Sequence, residues 1–173
     1  MHKRNDTFNP KDEMRTPPSL FKKLDDRFGF DIDAACTRDN CLCKCGIFKG
    51  EEDALSVSWS WYSQKPIVAF LNPPYNRIDL LRFIRKSYEE SLKGAIVVIL
   101  LPVDFSARWW DYCMLATEWI RIKGRIHFNG IDNKPIKGSP FFSSVVVVFD
   151  EQSRQALTAE EIPLPFISEM DWK

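Results

Sequence analysis

Histidine is scarce in this sequence of 173 residues, and His2 and His127 are its only two copies. This scarcity excludes a metal site built mainly from imidazole ligands. The longest apolar run, Ala95 to Val103, is far too short to cross a bilayer, and the polar start MHKRNDTFNPKDEMRT does not resemble a signal peptide. We therefore expect a cytoplasmic protein that has no membrane partner.

An excess of charge of one sign is also lacking. Lysine plus arginine and aspartate plus glutamate both total 24, so the formal net charge is zero. This balance argues against a protein that depends mainly on phosphate contacts, although a local basic stripe would suffice to bind nucleic acid. The cysteines number five, and an odd number without secretory context indicates reduced thiols rather than a disulfide framework.

Internal repeats and domain linkers are absent as well. Hydrophobic residues make up 45% and charged residues 28% of the chain, which is ordinary for a soluble globular domain. We assign residues 16–150 to one domain. Residues 1–15 lack apolar periodicity and are expected to form a flexible lead-in. Residues 151–173 are weakly patterned, and we expect a tail that packs on the domain or extends from it.

Strand and helix patterns alternate through the middle of the chain. Helical spacing of apolar residues predicts a helix in TPPSLFKKLDDRFGF, where Thr16 can cap and Gly29 can end it. A second helix is predicted in RIDLLRFIRKSYEESLKG, with Ile78, Leu81 and Ile84 on its apolar side, and a shorter one in SARWWDYCMLATEW. Strands are predicted in FDIDAAC, PIVAFL, AIVVILLPV, WIRIKGRIHF and SSVVVVFD. This order predicts an α/β fold with a mostly parallel sheet and an antiparallel strand pair at its end.

Two short stretches lie at the carboxyl ends of predicted strands. Residues 33–35 (DAA) end the strand FDIDAAC, and residues 72–75 (NPPY) follow PIVAFL directly. Ligands of parallel α/β sheets bind at this edge of the sheet. A simple turn requires neither the amide of Asn72 nor the ring of Tyr75, so we interpret residues 72–75 as part of an active site.

The stretch NPPY suits methyl transfer to an amino group conjugated with a ring, such as the exocyclic amine of adenine. The nitrogen lone pair of such an amine is delocalised, and hydrogen-bond acceptors on its protons would free the lone pair for attack. The Asn72 side-chain oxygen and the Pro73 carbonyl can supply these acceptors, and the prolines restrict their directions. Tyr75 offers a flat face on which a base can stack.

With these motifs in place, the chain resembles the phage-encoded, Dam-type DNA N-6-adenine methyltransferases, which use S-adenosylmethionine. The resemblance covers about residues 16–149 and rests on the order of six stretches: TPPSLF, FGFDIDAA, DALSVSW, NPPY, GRIHF and SPFFSSVVVVF. It implies a compact Rossmann-like methyltransferase fold, double-stranded DNA as partner and a flipped-out adenine as methyl acceptor. A phage or prophage gene would place the protein in the cytoplasm of a bacterial host. We expect a monomer or weak dimer.

The resemblance also implies roles for individual residues. A catalytic loop would consist of Asn72, Pro73, Pro74 and Tyr75. The methionine end of the cofactor would contact Thr16, Pro17 and Pro18. Asp33, Ala34 and Ala35 would line the cofactor pocket. Small alanines permit close approach, and a carboxylate suits the cationic amine of the cofactor. The Gly-x-Gly loop that many cofactor-binding α/β methyltransferases place after this strand is missing from the chain.

Two other functions remain open at this level. The same NPPY loop also marks methyltransferases that act on RNA adenine or on protein glutamine. A catalytically inactive module that binds nucleic acid, or a metal through cysteines, is the other alternative. Cys36, Cys41, Cys43 and Cys45 lie within ten residues, but their spacing fits a structural zinc site poorly. We therefore predict reduced cysteines and no metal.

Basic residues supply candidates for DNA contact. Strand alternation places Arg121, Lys123 and Arg125 on one side of RIKGR. Lys134 and Lys137 lie in a loop, residues 129–140, that we expect to touch DNA. A solvated face is an equally good interpretation of these charges.

Overall fold

The computed structural model describes residues 14–62, 66–138, 140–155 and 165–173. Of the expected lead-in, only Met14 and Arg15 lie within these ranges, and residues 1–13 lie outside them. None of the helices in the described ranges is long and apolar enough to cross a membrane.

One sheet of seven strands forms the centre of the described structure. Its strands in chain order are β1 (Ile32–Cys36), β2 (Cys45–Phe48), β3 (Val68–Leu71), β4 (Ile96–Pro102), β5 (Glu118–Lys123), β6 (Ser144–Phe149) and β7 (Phe166–Asp171). Their spatial order is β2-β1-β3-β4-β6-β5-β7. Strands β2, β1, β3 and β4 are parallel, and β6 is antiparallel to both β4 and β5. The predicted α/β class, with a mostly parallel sheet that also contains antiparallel pairs, is confirmed.

Helices cover both faces of this sheet. They are α1 (Pro18–Phe28), α2 (Arg77–Ser91), α3 (Trp110–Cys113) and α4 (Glu151–Gln155), with a short 3-10 helix at Trp59–Tyr62. Alternate residues of β4 enter two separate cores: Val97 and Ile99 pack with Ile84 of α2, whereas Val98 packs with Leu24 of α1. This two-sided burial explains the uninterrupted apolar run in the sequence of β4.

Helix α1 ends as predicted but begins differently. Gly29 adopts a left-handed conformation with φ of 67°, and its N–H donates to the Asp25 carbonyl oxygen. The N-cap is Pro17 rather than Thr16, and no side chain caps the helix. The prediction of Thr16 as cap is therefore wrong. Proline at the first helical position already fixes the required φ and leaves no N–H to be capped there.

Helix α2 is rotated relative to the prediction. Ile84 is buried, but Ile78 is 72% exposed and Leu81 is 36% exposed, so the predicted apolar side is wrong for these two residues. Asn76 caps the helix by accepting from the Asp79 N–H, and Leu80 turns toward the sheet together with Ile84. The buried stripe therefore runs through positions 80 and 84, and the extra apolar residues face outward.

The C-terminal segment contributes a strand that the sequence pattern does not reveal. Strand β7 pairs in parallel with β5 along its whole length, so β7 rather than the antiparallel pair forms this edge of the sheet. Glu169 of β7 contacts both Arg121 and Lys123 of β5. Phe166 and Ile167 are exposed, and a strand exposed on both faces has no apolar alternation to detect.

Candidate functional site

A cavity of about 420 Å³ opens at the carboxyl ends of β1 and β3. This volume lies within the usual range of about 300–1,000 Å³ for small-molecule sites. Residues from three separate predicted motifs line it, namely Thr16, Pro18, Asp33, Ala35, Asn72 and Pro74. The structure therefore brings together the segment before α1, the end of β1 and the NPPY loop.

Asn72 follows β3 directly, and the oxygen and the nitrogen of its side-chain amide have different surroundings. Its Nδ2 donates to the Met14 carbonyl oxygen at 2.7 Å. Its Oδ1 is buried and finds no hydrogen-bond partner among the residues that the structure describes. Buried amide oxygens are normally paired, so an unpaired one beside a cavity is a ready acceptor for a ligand N–H group.

Asp33 presents a carboxylate to the same cavity while being only 4% exposed. Burial raises the pKa of Asp33 to about 6, against hydrogen bonds from the N–H groups of Ala35 and Leu42 that lower it. The ionised form therefore lacks a cationic partner in the described residues and would gain most from a cationic ligand.

The segment before α1 and the loop after β5 close another side of the cavity. The backbones of Arg15 and Asn129 exchange two hydrogen bonds of 2.8 and 2.9 Å. The Arg15 guanidinium contacts Asp39 at 2.6 Å and Asn133 at 2.9 Å. The hydroxyl of Thr16 is buried beside them and has no partner within the described ranges.

Tyr75, the last residue of NPPY, is half-buried and firmly held. Its hydroxyl donates to the Leu100 carbonyl oxygen at 3.2 Å, and burial raises the pKa of this hydroxyl well above its usual range. Its ring meets Phe128 and Phe142 in edge contacts with centroid distances of 6.0 and 5.7 Å. Tyr75 lines a different cavity, of about 900 Å³, together with Pro102 and Trp109.

Comparison with known proteins identifies the family. The sequence model of the DNA N-6-adenine-methyltransferase (Dam) family matches residues 4–163 of this chain. The chain belongs to this family. The resemblance inferred from the order of its motifs is thereby confirmed.

Two phage proteins are similar to this Dam-family chain. A DNA N-6-adenine-methyltransferase of Escherichia phage T1 is 33% identical over 101 residues, which cover 58% of this chain and 40% of the phage protein. A DNA N-6-adenine-methyltransferase of Haemophilus phage HP1 is 30% identical over 117 residues, which cover 66% of this chain and 63% of that protein. The chain thus spans less than two thirds of the length of either relative.

The remaining predicted cofactor and loop residues surround the cavity without lining it. Pro17 is the N-cap of α1, and Pro73 is buried. Ala34 faces a second cavity of about 210 Å³, which Ala35 and Pro74 also line. The geometry is thus compatible with a ligand that extends over the end of β1, but the individual roles of these residues stay predictions.

The clustered cysteines of this Dam-family chain lie at the end of β1, at the start of β2 and in the loop between these strands. Strand β2 begins only at Cys45, whose side chain is exposed, so Cys41, Cys43 and Cys45 do not share one strand face. Cys36 and Cys41 instead line the 420 Å³ cavity beside Asp33. Burial raises the pKa of both thiols, and the charge of Asp33 adds to this. Both are therefore weak nucleophiles at neutral pH.

The predicted DNA-binding residues fall into two groups. Arg121 and Lys123 form ion pairs with Glu169, and Arg125 donates to the Pro140 carbonyl oxygen. Lys134 and Lys137 are exposed in the loop after β5. The loop is attached to the site at both ends, because Phe128 and Phe142 contact Tyr75.

Several cavity residues have no signal in the sequence pattern. The Met14 carbonyl, Arg15 and Asn133 take part through contacts between distant segments. Asn133 is the one non-glycine residue with positive φ in the described ranges, at 58°. Its neighbour Gly130 and the polar run that follows indicate a loop, but nothing local indicates that the loop returns to Arg15.

Proposed function

We propose that this chain transfers a methyl group from S-adenosylmethionine to the N6 amine of adenine in double-stranded DNA. Family membership supports the reaction class. The observation that carries the proposal for this chain is the buried, unpaired Oδ1 of Asn72 beside a cavity that also contains the Asp33 carboxylate. An acceptor for an amine and a counter-charge for a cationic cofactor thus border one space.

The chemistry of the cavity fits the proposed cofactor. S-adenosylmethionine would supply an electrophilic methyl group on a cationic sulfur. Asp33 would hold the cationic amine of the cofactor, because its buried carboxylate has no cation of its own in the described part of the chain. The unpaired Thr16 hydroxyl lies on the same wall and offers a further polar contact. Ala35 leaves space for close approach at the end of β1.

Asn72 would activate the acceptor amine. Its Oδ1 can accept from one amine proton, and the Pro73 carbonyl can accept from the other. These contacts favour a pyramidal nitrogen with an available lone pair, so they suit the transition state better than the planar ground state. The Met14 carbonyl fixes the amide through Nδ2 at 2.7 Å, which keeps Oδ1 directed away from it. The amine would lose its spare proton to solvent.

The adenine would leave the DNA stack to reach Asn72. Tyr75 would provide the surface on which the extruded base stacks, which is typically worth about 1–3 kcal/mol per base. Its hydroxyl bond to Leu100 and its contacts with Phe128 and Phe142 hold the ring in place before the base arrives. A fixed ring loses little conformational freedom on binding.

DNA phosphates would meet the loop after β5. Lys134 and Lys137 are exposed there, and the loop is anchored on Tyr75 through the aromatic residues at its ends. Arg121 and Lys123 are less suited to this role, because Glu169 already neutralises part of their charge.

The acceptor is tested by incubating the chain with labelled S-adenosylmethionine and equal amounts of unmethylated DNA, RNA and a glutamine-containing protein extract. We expect label in DNA only, recovered as N6-methyladenine after digestion to nucleosides. Label in RNA or protein alone would transfer the proposal to one of the alternative acceptors. Cofactor binding measured by calorimetry in parallel separates a wrong acceptor from a chain that binds no cofactor, which would overturn the enzyme function itself.

A further inference from the structure

A cluster of three metal-ligating side chains lies in the wall of the 420 Å³ cavity that Asn72 also lines. The carboxylate of Asp33 and the sulfurs of Cys36 and Cys41 all lie within 4.8 Å of one another. Asp33 is the second residue of strand β1, and Cys36 is its last. The loop after β1 folds back so that Cys41 lies beside these two residues. The N–H of Leu42 donates to the Asp33 carboxylate at 3.3 Å. These contacts fix the loop against the strand, so the cluster is built by the fold.

Gly46 of the neighbouring strand makes room for both sulfurs. A Cβ atom on Gly46 would lie 2.5 Å from the Cys36 sulfur and 2.6 Å from the Cys41 sulfur. Real Cβ atoms do not approach other atoms this closely, so a larger residue here would push the two thiols away. Of the described glycines, none but Gly46 has two sulfurs at such distances.

We propose that Asp33, Cys36 and Cys41 bind a divalent, thiolate-preferring metal ion, with Zn²⁺ as the best chemical match. Two thiolates and one carboxylate are ligands that Zn²⁺ accepts, and three protein ligands leave a fourth position open. Tetrahedral ligands at about 2.3 Å from zinc are about 3.8 Å apart, so from separations of no more than 4.8 Å the ligand atoms have to close by at most about 1 Å. Each thiol releases one proton to solvent as its sulfur binds the metal.

The position of the cluster gives metal binding a consequence for the proposed enzyme. Asp33, Cys36 and Cys41 line the cavity that we assign to S-adenosylmethionine. A metal ion on Asp33 removes the carboxylate that would hold the cationic amine of the cofactor. Zinc and the cofactor should therefore exclude each other. The competition between zinc and the cofactor rests on the proposed function, whereas metal binding itself does not.

Metal binding is tested on the full chain in the presence of a non-chelating reductant and without DNA or cofactor. Titration with Co²⁺ should give one bound ion per chain with a thiolate-to-cobalt charge-transfer band, and Zn²⁺ should displace it. Cys41→Ser and Asp33→Asn should each weaken binding by at least about tenfold. Cys45→Ser is the matched control, because Cys45 lies in the same segment but is exposed and outside the cluster.

Unchanged Co²⁺ binding in Cys41→Ser and Asp33→Asn would overturn the proposed site, as would an equal loss in Cys45→Ser or no binding by the unaltered chain. Far-ultraviolet circular dichroism of each variant distinguishes lost ligation from lost folding. Competition is then measured as cofactor affinity with and without Zn²⁺. We expect Zn²⁺ to weaken cofactor binding in the unaltered chain and in Cys45→Ser but not in Cys41→Ser. A chain that binds metal but no cofactor would contradict the proposed function and leave the metal site standing.

Discussion

Asn72 and Met14 are joined by a hydrogen bond of 2.7 Å from the side-chain Nδ2 to the backbone carbonyl oxygen. A carbonyl only accepts hydrogen bonds, so this contact assigns the nitrogen of the amide to Met14 and the oxygen to the other side. The segment before α1 thereby sets the orientation of an acceptor that lies directly after β3. This relationship turns a residue at a strand end into a prepared site for an amine.

Cofactor affinity should depend on pH through Asp33. Its pKa of about 6 means that most of the carboxyl groups are ionised at pH 7 and protonated at pH 5. If the ionised form holds the cationic amine, affinity should fall about tenfold between these two values. Isothermal titration calorimetry with a chelator present measures this. Asp33→Asn should bind weakly at both values, and a pH dependence that persists in Asp33→Asn would contradict the assignment.

The raised pKa of Asp33 also makes the free energy of unfolding depend on pH. The value in the folded chain lies above the ordinary value of 3.8, so protonated Asp33 favours the fold. Its contribution to the free energy of unfolding is present below the unfolded pKa and is lost as pH rises through about 6. Asp33→Asn should therefore be relatively more stable at pH 8 than at pH 4, when each is compared with the unaltered chain. Urea unfolding at the two pH values tests this.

DNA affinity should depend more on the loop lysines than on the paired arginine of β5. Replacing Lys134 and Lys137 by glutamine should weaken binding for every DNA sequence and reduce the slope of log K against log salt by about 2. Arg121→Gln serves as the control, because Arg121 already pairs with Glu169. Fluorescence anisotropy at several salt concentrations gives both slopes. Equal losses in the two variants would place the DNA along β5 as well.

Glu90 should be important for stability although it lies outside the cavity. It is fully buried and accepts from Lys86 at 2.7 Å, from Lys93 at 2.8 Å and from the Trp59 N–H at 3.0 Å. Burial raises the pKa of Glu90, but these hydrogen bonds outweigh it and hold the pKa below its usual range. Its stabilising effect is therefore present above the unfolded pKa and is lost as pH falls through the lower, folded one.

Glu90→Gln should lower the free energy of unfolding by about 3–5 kcal/mol, because it leaves the mostly buried Lys86 without its counter-charge. Glu89→Gln breaks the exposed pair with Arg85 on the same helix and should change stability far less than Glu90→Gln. Urea unfolding near pH 7 compares the two variants. Similar effects of both would show that the buried network contributes no more than a surface pair.

The sequence predicts those parts of the fold in which the spacing of apolar residues along one segment reflects which side chains are buried. The continuous apolar run of β4 indicates a strand covered on both faces, and the NPPY stretch after β3 indicates a site at the sheet edge. The outward position of Ile78 was not predictable in this way, because α2 carries more apolar residues than its buried stripe can hold. Strand β7 is not predictable from the sequence pattern, because hydrogen bonds with β5 rather than apolar alternation define it.

Some residues of the candidate site are likewise predictable from the sequence, and others are not. The sequence pattern predicts Asp33 and Asn72 as site residues because they lie toward the ends of predicted strands, and the structure does bring them to one cavity. The contacts from Met14 and Arg15, and the approach of Cys36 to Cys41 over Gly46, depend on loops that return from distant positions. Tertiary packing determines these contacts between distant segments, so neither residue spacing nor apolar periodicity in the sequence predicts them.

Single-turnover methyl transfer by the unaltered chain and by Asn72→Ala is the most direct test of the proposed active site. Both would be saturated with labelled S-adenosylmethionine and mixed with unmethylated DNA, and N6-methyladenine would be measured over time. We predict product from the unaltered chain and a rate at least about 100-fold lower in Asn72→Ala, with cofactor affinity changed far less. An equal rate of N6-methyladenine formation in the two proteins would contradict the role assigned to the unpaired oxygen of Asn72.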